Sequence, residues 1–244
     1  MVRMSKPEVL VLQHATWEKP GRILSYLEEC ELPVQTLSIA TQKKPDLPDF
    51  DEVAGLVVMG GPMGATDFDK FPGLKAEAKL VRAAISVGKP VLGVCLGHQI
   101  IATALGAKLH SGDPQIGIGS IKRVDKHDYF SMWSKNLAVL NWHSDTVSLP
   151  QDAQLLARSE RTKVEAFRFG SALGMQFHLE VTPQLLEEWL EEPMMVKQLK
   201  AARGSKSQLR EAYAEANSMI APLAESVFSG FAARCATYSK ALSR

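Results

Sequence analysis

Cysteine is scarce in this chain. Its three residues, Cys30, Cys95 and Cys235, are odd in number and far apart, which gives no basis for a disulfide framework or a zinc site and fits a reducing compartment. An excess of charge is lacking as well. The formal net charge is +1, and no long basic block offers a local exception, so there is no electrostatic case for nucleic acid or a membrane surface. Small neutral or zwitterionic ligands remain open. Long hydrophobic runs are also missing: Met1–Lys6 is polar, and the first apolar run, Val9–Leu12, is too short for a signal peptide or a membrane span. The expected location is the cytoplasm. With no phosphate-binding loop, internal repeat or low-complexity tract, neither a cofactor nor a metal is expected.

What is present is an alternation of strands and helices. Short apolar runs at Glu8–Gln13, Val34–Ile39 and Glu52–Met59 read as strands, and Pro20–Leu24 opens a helix running to about Glu29. Phe71–Val87 has the 3.6-residue period of a surface helix, with Gly88 as its stop signal. Val91–Val94 then reads as a buried strand, and the apolar residues after Gly97 as a helix beneath it. This pattern predicts a doubly wound α/β fold with a mostly parallel central sheet and helices on both faces. Five further strands are expected between residues 116 and 177, at Ile116–Val124, Leu137–Leu140, Ala153–Arg158, Val164–Phe169 and Ala172–Phe177, as antiparallel additions. From Pro183 the chain reads as helical, first Gln184–Ala202 and then Ser207–Leu242, the latter with an apolar face through Ala212, Ala216, Met219, Leu223, Val227 and Phe231. The expected division is a catalytic-type domain over 1–192 and a C-terminal helical extension over 193–244 packed on it, with oligomer or partner contact through the last helix as the alternative.

The chemistry concentrates in three places. Gly93-Val94-Cys95-Leu96-Gly97 sets a cysteine on a tight strand-to-helix corner, where the helix N-terminus favours the thiolate and the following N–H groups can face an oxyanion. A buried core cysteine between packing glycines is the alternative reading. Gly60-Gly61-Pro62-Met63-Gly64 follows a buried strand and is either plain turn chemistry or a backbone cradle for an anion. Phe177-His178-Leu179-Glu180 supplies an imidazole that can deprotonate a thiol, with a carboxylate two residues on to fix its tautomer. Glu180 could instead cap the helix that follows. The combination with Cys95 favours a catalytic set. His98 is expected to pack, His143 to organise a loop, and His14 faces the right edge without an obvious partner; His110 and His127 carry no argument.

These three segments, in order and spacing, resemble the signature of the class I glutamine amidotransferases over roughly residues 8–192. Trp142-His143-Ser144-Asp145 is similar to the branch formed by the amidotransferase half of GMP synthase and its free-standing relatives. Leu179 stands where the family usually has proline, and Gln115-Ile116-Gly117 where it usually has Glu-Ile-Gly.

The resemblance implies hydrolysis of the side-chain amide of L-glutamine through a γ-glutamyl thioester on Cys95, with His178 as base and then acid, and Glu180 orienting it. It implies an oxyanion hole from the N–H groups of Gly61 and Leu96, and contacts of Gln99, Ser144 and Asp145 with the α-amino and α-carboxylate end of the substrate. It also implies that any ammonia acceptor is handled elsewhere, by a separate synthase subunit, or that the substrate is a γ-glutamyl conjugate cleaved by a peptidase with the same triad. A catalytically idle regulatory subunit is the remaining alternative.

Overall fold

The computed structural model describes residues 7–125 and 133–242; Met1–Lys6 and His127 lie outside the described residues. The central sheet is built around Val53–Val58 (β3), a Val-Ala-Gly-Leu-Val-Val segment with no exposed residue. Such unbroken apolarity suits a strand covered on both faces. Beside it lie Glu8–Leu12 (β1), Val34–Leu37 (β2), Val91–Val94 (β4) and Ala172–Met175 (β11), all parallel, in the order β2-β1-β3-β4-β11. The sheet then continues antiparallel through Ala166–Phe169 (β10), Gln154–Arg158 (β9), Gln115–Arg123 (β6) and Asn136–His143 (β7). The expected doubly wound, mostly parallel α/β fold with antiparallel additions is the fold observed.

Helices Gly73–Ser86 (α2) and Leu96–Ala104 (α3) cover one face; Arg22–Glu29 (α1), Pro183–Glu191 (α4), Pro193–Ala201 (α5) and Lys206–Leu242 (α6) cover the other. Two short strands, Leu109–His110 (β5) and Thr146–Val147 (β8), form a separate antiparallel pair that the sequence pattern did not indicate. The helix expected over Gln184–Ala202 is two helices. Glu192 ends α4 in an extended conformation and its carboxylate caps α5, which starts at Pro193; a proline lacks the N–H to continue α4 but is well suited to a first helical turn.

The inward face of α6 runs through Leu209, Tyr213, Ala216, Ile220, Leu223, Val227 and Phe231, whereas Met219 is half exposed. The expected stripe was thus one residue out of phase at Ala212 and Met219, where Tyr213 and Ile220 face inward instead. The helix packs on β3, β6, β7 and α1 within its own chain. At Gly55 a Cβ would run into Cys235 Sγ of α6, so the close approach of helix and sheet depends on glycine. Among the described residues no helix is long and apolar enough to cross a membrane.

Candidate active site

Four neighbouring parallel strands, β1, β3, β4 and β11, deliver their carboxyl ends to one edge of the sheet, where ligands gather in open α/β folds. The loop after β1 carries His14, Trp17 and Glu18; the turn after β3 carries Gly60 and Gly61; the corner after β4 carries Cys95; and the segment after β11 carries His178 and Glu180.

Cys95 sits at φ +52°, ψ −105°, a backbone conformation that costs an L-residue roughly 1–3 kcal/mol and persists only where the surroundings enforce it. The enforcement is visible. Cys95 N–H is held by Met175 O at 2.8 Å, a Cβ on Gly97 would overlap Val58 O, and one on Gly93 would overlap the Gly97 backbone. Both glycines are therefore required for α3 to dive under the sheet directly after the cysteine.

His178 and Glu180 are fully enclosed, with Nδ1 and Oε1 2.6 Å apart. The backbone N–H of His178 is held by Leu140 O at 2.8 Å, and Trp189 of α4 meets the ring edge-on at 5.0 Å. Glu180 is held through its backbone: its carbonyl accepts from Arg22 N–H at 2.9 Å and lies where a Cβ on Gly21 would fall. The Arg22 guanidinium donates to Leu179 O at 3.0 Å and to Val181 O.

Burial alone would lower the His178 pKa, but the Glu180 carboxylate, joined to it in a closed space, raises it well above the ordinary value. Cys95 behaves differently from the expectation of a helix-stabilised thiolate. Burial raises its pKa, and the nearby His178 offsets this only in part. Desolvation of the buried sulfur thus works against the thiolate. The Cys95 thiol donates to Trp142 O at 3.6 Å, and the His178 imidazole lies close enough to interact with it as well.

In front of this pair opens a cavity of about 230 Å³. Six of the expected site residues, Gly61, Cys95, Leu96, Gln99, Ser144 and Asp145, line it, with His178 and Glu180 buried behind the sulfur. Gln99 is less free than a residue that only grips a ligand. Its amide nitrogen donates to Asp145 O at 3.0 Å and to Gln176 Oε1 at 3.1 Å, which ties the Ser144–Asp145 loop to α3. Sequence reasoning missed the outer wall, which includes Trp142 and, from α5, Met194, Met195 and Gln198; Gln198 Oε1 accepts from Trp142 Nε1 at 2.7 Å.

His14 gains the partners it lacked in sequence: Nε2 meets Glu77 Oε2 at 2.7 Å and Nδ1 meets Gly60 O at 3.1 Å. His98 is buried against Phe167, with desolvation lowering its pKa to about 3, and His143 is lowered to about 4 by burial while it holds Asp145 O at 3.2 Å. Both are neutral; His98 packs in the core, while His143 also lines the cavity. Glu18 was not singled out either, and no local motif marks it. One donor atom each from Glu18, His178 and Glu180 lies within 4.8 Å of the others. With His178 and Glu180 already joined by a short hydrogen bond, the three are read as a hydrogen-bonding set and not as a metal site.

Comparison with known proteins is consistent across sequence and structure. The sequence model of the family described as glutamine amidotransferase class-I matches residues 21–195. The chain is 31% identical over 183 residues to the glutamine amidotransferase-like protein YfeJ of Salmonella typhimurium, spanning 71% of this chain and 76% of that one. It is 36% identical over 131 residues to one subunit of the glutamine-hydrolysing GMP synthase of Thermococcus kodakarensis (52% and 66%), and 33% identical over 162 residues to γ-glutamyl peptidase 5 of Arabidopsis thaliana (63% and 64%). A crystal structure of a glutamine amidotransferase from Thermotoga maritima superposes with a TM-score of 0.85 at 28% identity, covering 93% of this chain and 98% of that one.

Proposed function

We propose, from the premise that this chain belongs to the class I glutamine amidotransferases, that it hydrolyses the side-chain amide of L-glutamine through a thioester on Cys95. The observation that carries the reading is the placement of Cys95 on a strained corner, in one cavity with Gly61 and Leu96 and in front of the enclosed His178–Glu180 pair. Glu180 holds Nδ1 of the imidazole, which leaves Nε2 as the nitrogen that takes the thiol proton once the sulfur turns from Trp142 O. The sulfur attacks the amide carbon, and the N–H groups of Gly61 and Leu96 receive the oxyanion. His178 returns the proton to the leaving nitrogen, ammonia departs, and a water activated by the same imidazole cleaves the thioester to glutamate. Asp145 offers the α-ammonium a counter-charge, Ser144 lies beside it, and the free oxygen of Gln99 is a further acceptor.

The ammonia passes to a separate synthase subunit in this reading, which the similarity to a subunit of a GMP synthase supports. The three free thiols fit a reducing, cytoplasmic setting. A second reading has one observation in its favour: the outer wall of the cavity is partly apolar, through Met194, Met195, Ile116 and Trp142, and suits a leaving amine larger than ammonia, as in a γ-glutamyl peptidase.

Purified protein supplied with glutamine is expected to release glutamate and ammonia, and Cys95→Ala to abolish both. A glutamine-like electrophile is expected to label Cys95 and to spare Cys30 and Cys235. Turnover by Cys95→Ala at the wild-type rate would overturn the mechanism. A panel of γ-glutamyl amides, scored for ammonia against amine release, separates the two substrate classes.

A further inference from the structure

Glu18 lies on the loop after β1, with its carboxyl group resting on the Cα of Gly60, where any Cβ would run into Oε2. The residue is 6% exposed, and Oε2 has no hydrogen-bond partner among the described residues. One of its oxygens lies within 4.8 Å of donor atoms of both His178 and Glu180. Glu180 is in the same position on its far side: Oε1 is committed to His178 Nδ1, and Oε2 is buried without a partner among the described residues.

Two carboxylate charges this close in a buried site repel, and the Glu180 charge is among the influences that push the Glu18 pKa up. Glu180 is already joined to the imidazole through Oε1. The proton is assigned to Glu18, whose neutral carboxyl is a donor close to a carboxyl group with an unpartnered oxygen.

We propose that Glu18 is a fourth, positioning member of the active site: as the neutral acid it donates to the unpaired oxygen of Glu180 and braces the Glu180–His178 pair from the side of the Gly60–Gly61 turn. The inference rests on the catalytic reading above only for the use to which the pair is put; the bracing itself is a property of the fold. The ionisable groups around Glu18 are consistent with it. Burial raises its pKa to about 7, with His178 and His14 opposing and Glu180 adding to the rise. Cys95 lines the same cavity as Glu18, its own ionisation opposed by a charged Glu18, and Glu77 is paired with His14. When Glu18 ionises, the brace is lost and a second negative charge appears beside the sulfur, so thiolate formation becomes harder as pH rises past 7.

Two measurements test this. The first follows alkylation of Cys95 by iodoacetamide across pH and needs no glutamine turnover. In Glu18→Gln, which keeps a donor and cannot ionise, the midpoint for thiolate reactivity is expected to move to lower pH than in wild type; an unmoved midpoint overturns the proposal. The second is glutaminase activity. Glu18→Ala is expected to lose about 10- to 100-fold in kcat with KM little changed, the usual scale for groups that orient a functional histidine, and Glu18→Gln to recover most of that loss. The ratio of activity at about pH 8.5 to that at about pH 6.5 is expected to be higher in Glu18→Gln than in wild type. Wild-type kcat in Glu18→Ala also overturns the proposal. If alkylation shifts as expected but no form of the protein hydrolyses glutamine, Glu18 keeps its role and the glutaminase reading fails.

Discussion

Glu165 shows at the scale of one residue what the interior does to a carboxyl group that has no cation beside it. It is fully buried between β9 and β10, neither carboxyl oxygen has a hydrogen-bond partner among the described residues, and desolvation raises its pKa to about 7. The folded protein therefore holds a proton there that the unfolded chain releases near the ordinary value of 4.5. Between those two pH values the native state binds more protons than the unfolded state, so stability falls as pH rises and levels off above about 7. The share due to this residue is on the order of 3 kcal/mol. Glu165→Gln is expected to remove that share: urea unfolding at pH 5 and pH 8 should show a smaller loss in the variant than in wild type. A loss equal to that of wild type would show that Glu165 is not the group responsible.

Residues of this kind were not legible in the sequence. Cys95, His178 and Glu180 announce themselves because their neighbours constrain them locally, with small residues around a nucleophile or an imidazole two residues from a carboxylate. Glu18 and Glu165 owe their chemistry to burial by strands and loops far away in the chain.

Among the elements, the β4–α3 corner is the one that local sequence specified most fully. Pro90 opens the strand, Gly93 and Gly97 remove the side chains that would keep α3 from the sheet, and Cys95 is left at the turn. Gly97→Ala tests this. Its new methyl group would fall on the Val58 carbonyl, which belongs to the sheet and cannot step aside. A loss of about 1–3 kcal/mol is the usual cost of overpacking, and the upper end or more is expected here, read as a lowered midpoint in chemical denaturation. Stability within about 0.5 kcal/mol of wild type would contradict this account of the corner, since that is the range of inconsequential surface changes.

Pro20-Gly21-Arg22 is a different case. In sequence it reads as a helix start, and it is one, since α1 begins at Arg22. In the fold the same residues also hold the backbone of Leu179–Val181 in place, a second task that a one-dimensional pattern does not reveal. The short strands β5 and β8 were missed because two-residue strands have no period to detect.

Over the whole molecule, stability depends heavily on the packing of α6. Its inner face is apolar along most of its length and is used up against the sheet and α1. Phe231 is 1% exposed, and its truncation to alanine is expected to cost about 3–5 kcal/mol. Met219, 51% exposed on the same helix, is expected to cost less than about 0.5 kcal/mol. Thermal unfolding of the two variants side by side checks the helix phase that the sequence placed one residue out at Met219. Equal destabilisation would mean that α6 does not pack on this chain as described.

The sequence by itself determined the α/β character, the corner that carries Cys95 and the identity of the triad candidates, because each depends on contacts between residues a few positions apart. Only the tertiary structure decided that β11, the last strand in the chain, enters the sheet beside β4. That pairing carries His178 and Glu180 across some eighty residues to the sulfur, and the pairing of β1 with β3 brings the loop with Glu18 to the same edge. Strand order is set by how apolar faces are shared across the whole sheet, a sum over distant residues that no local window contains.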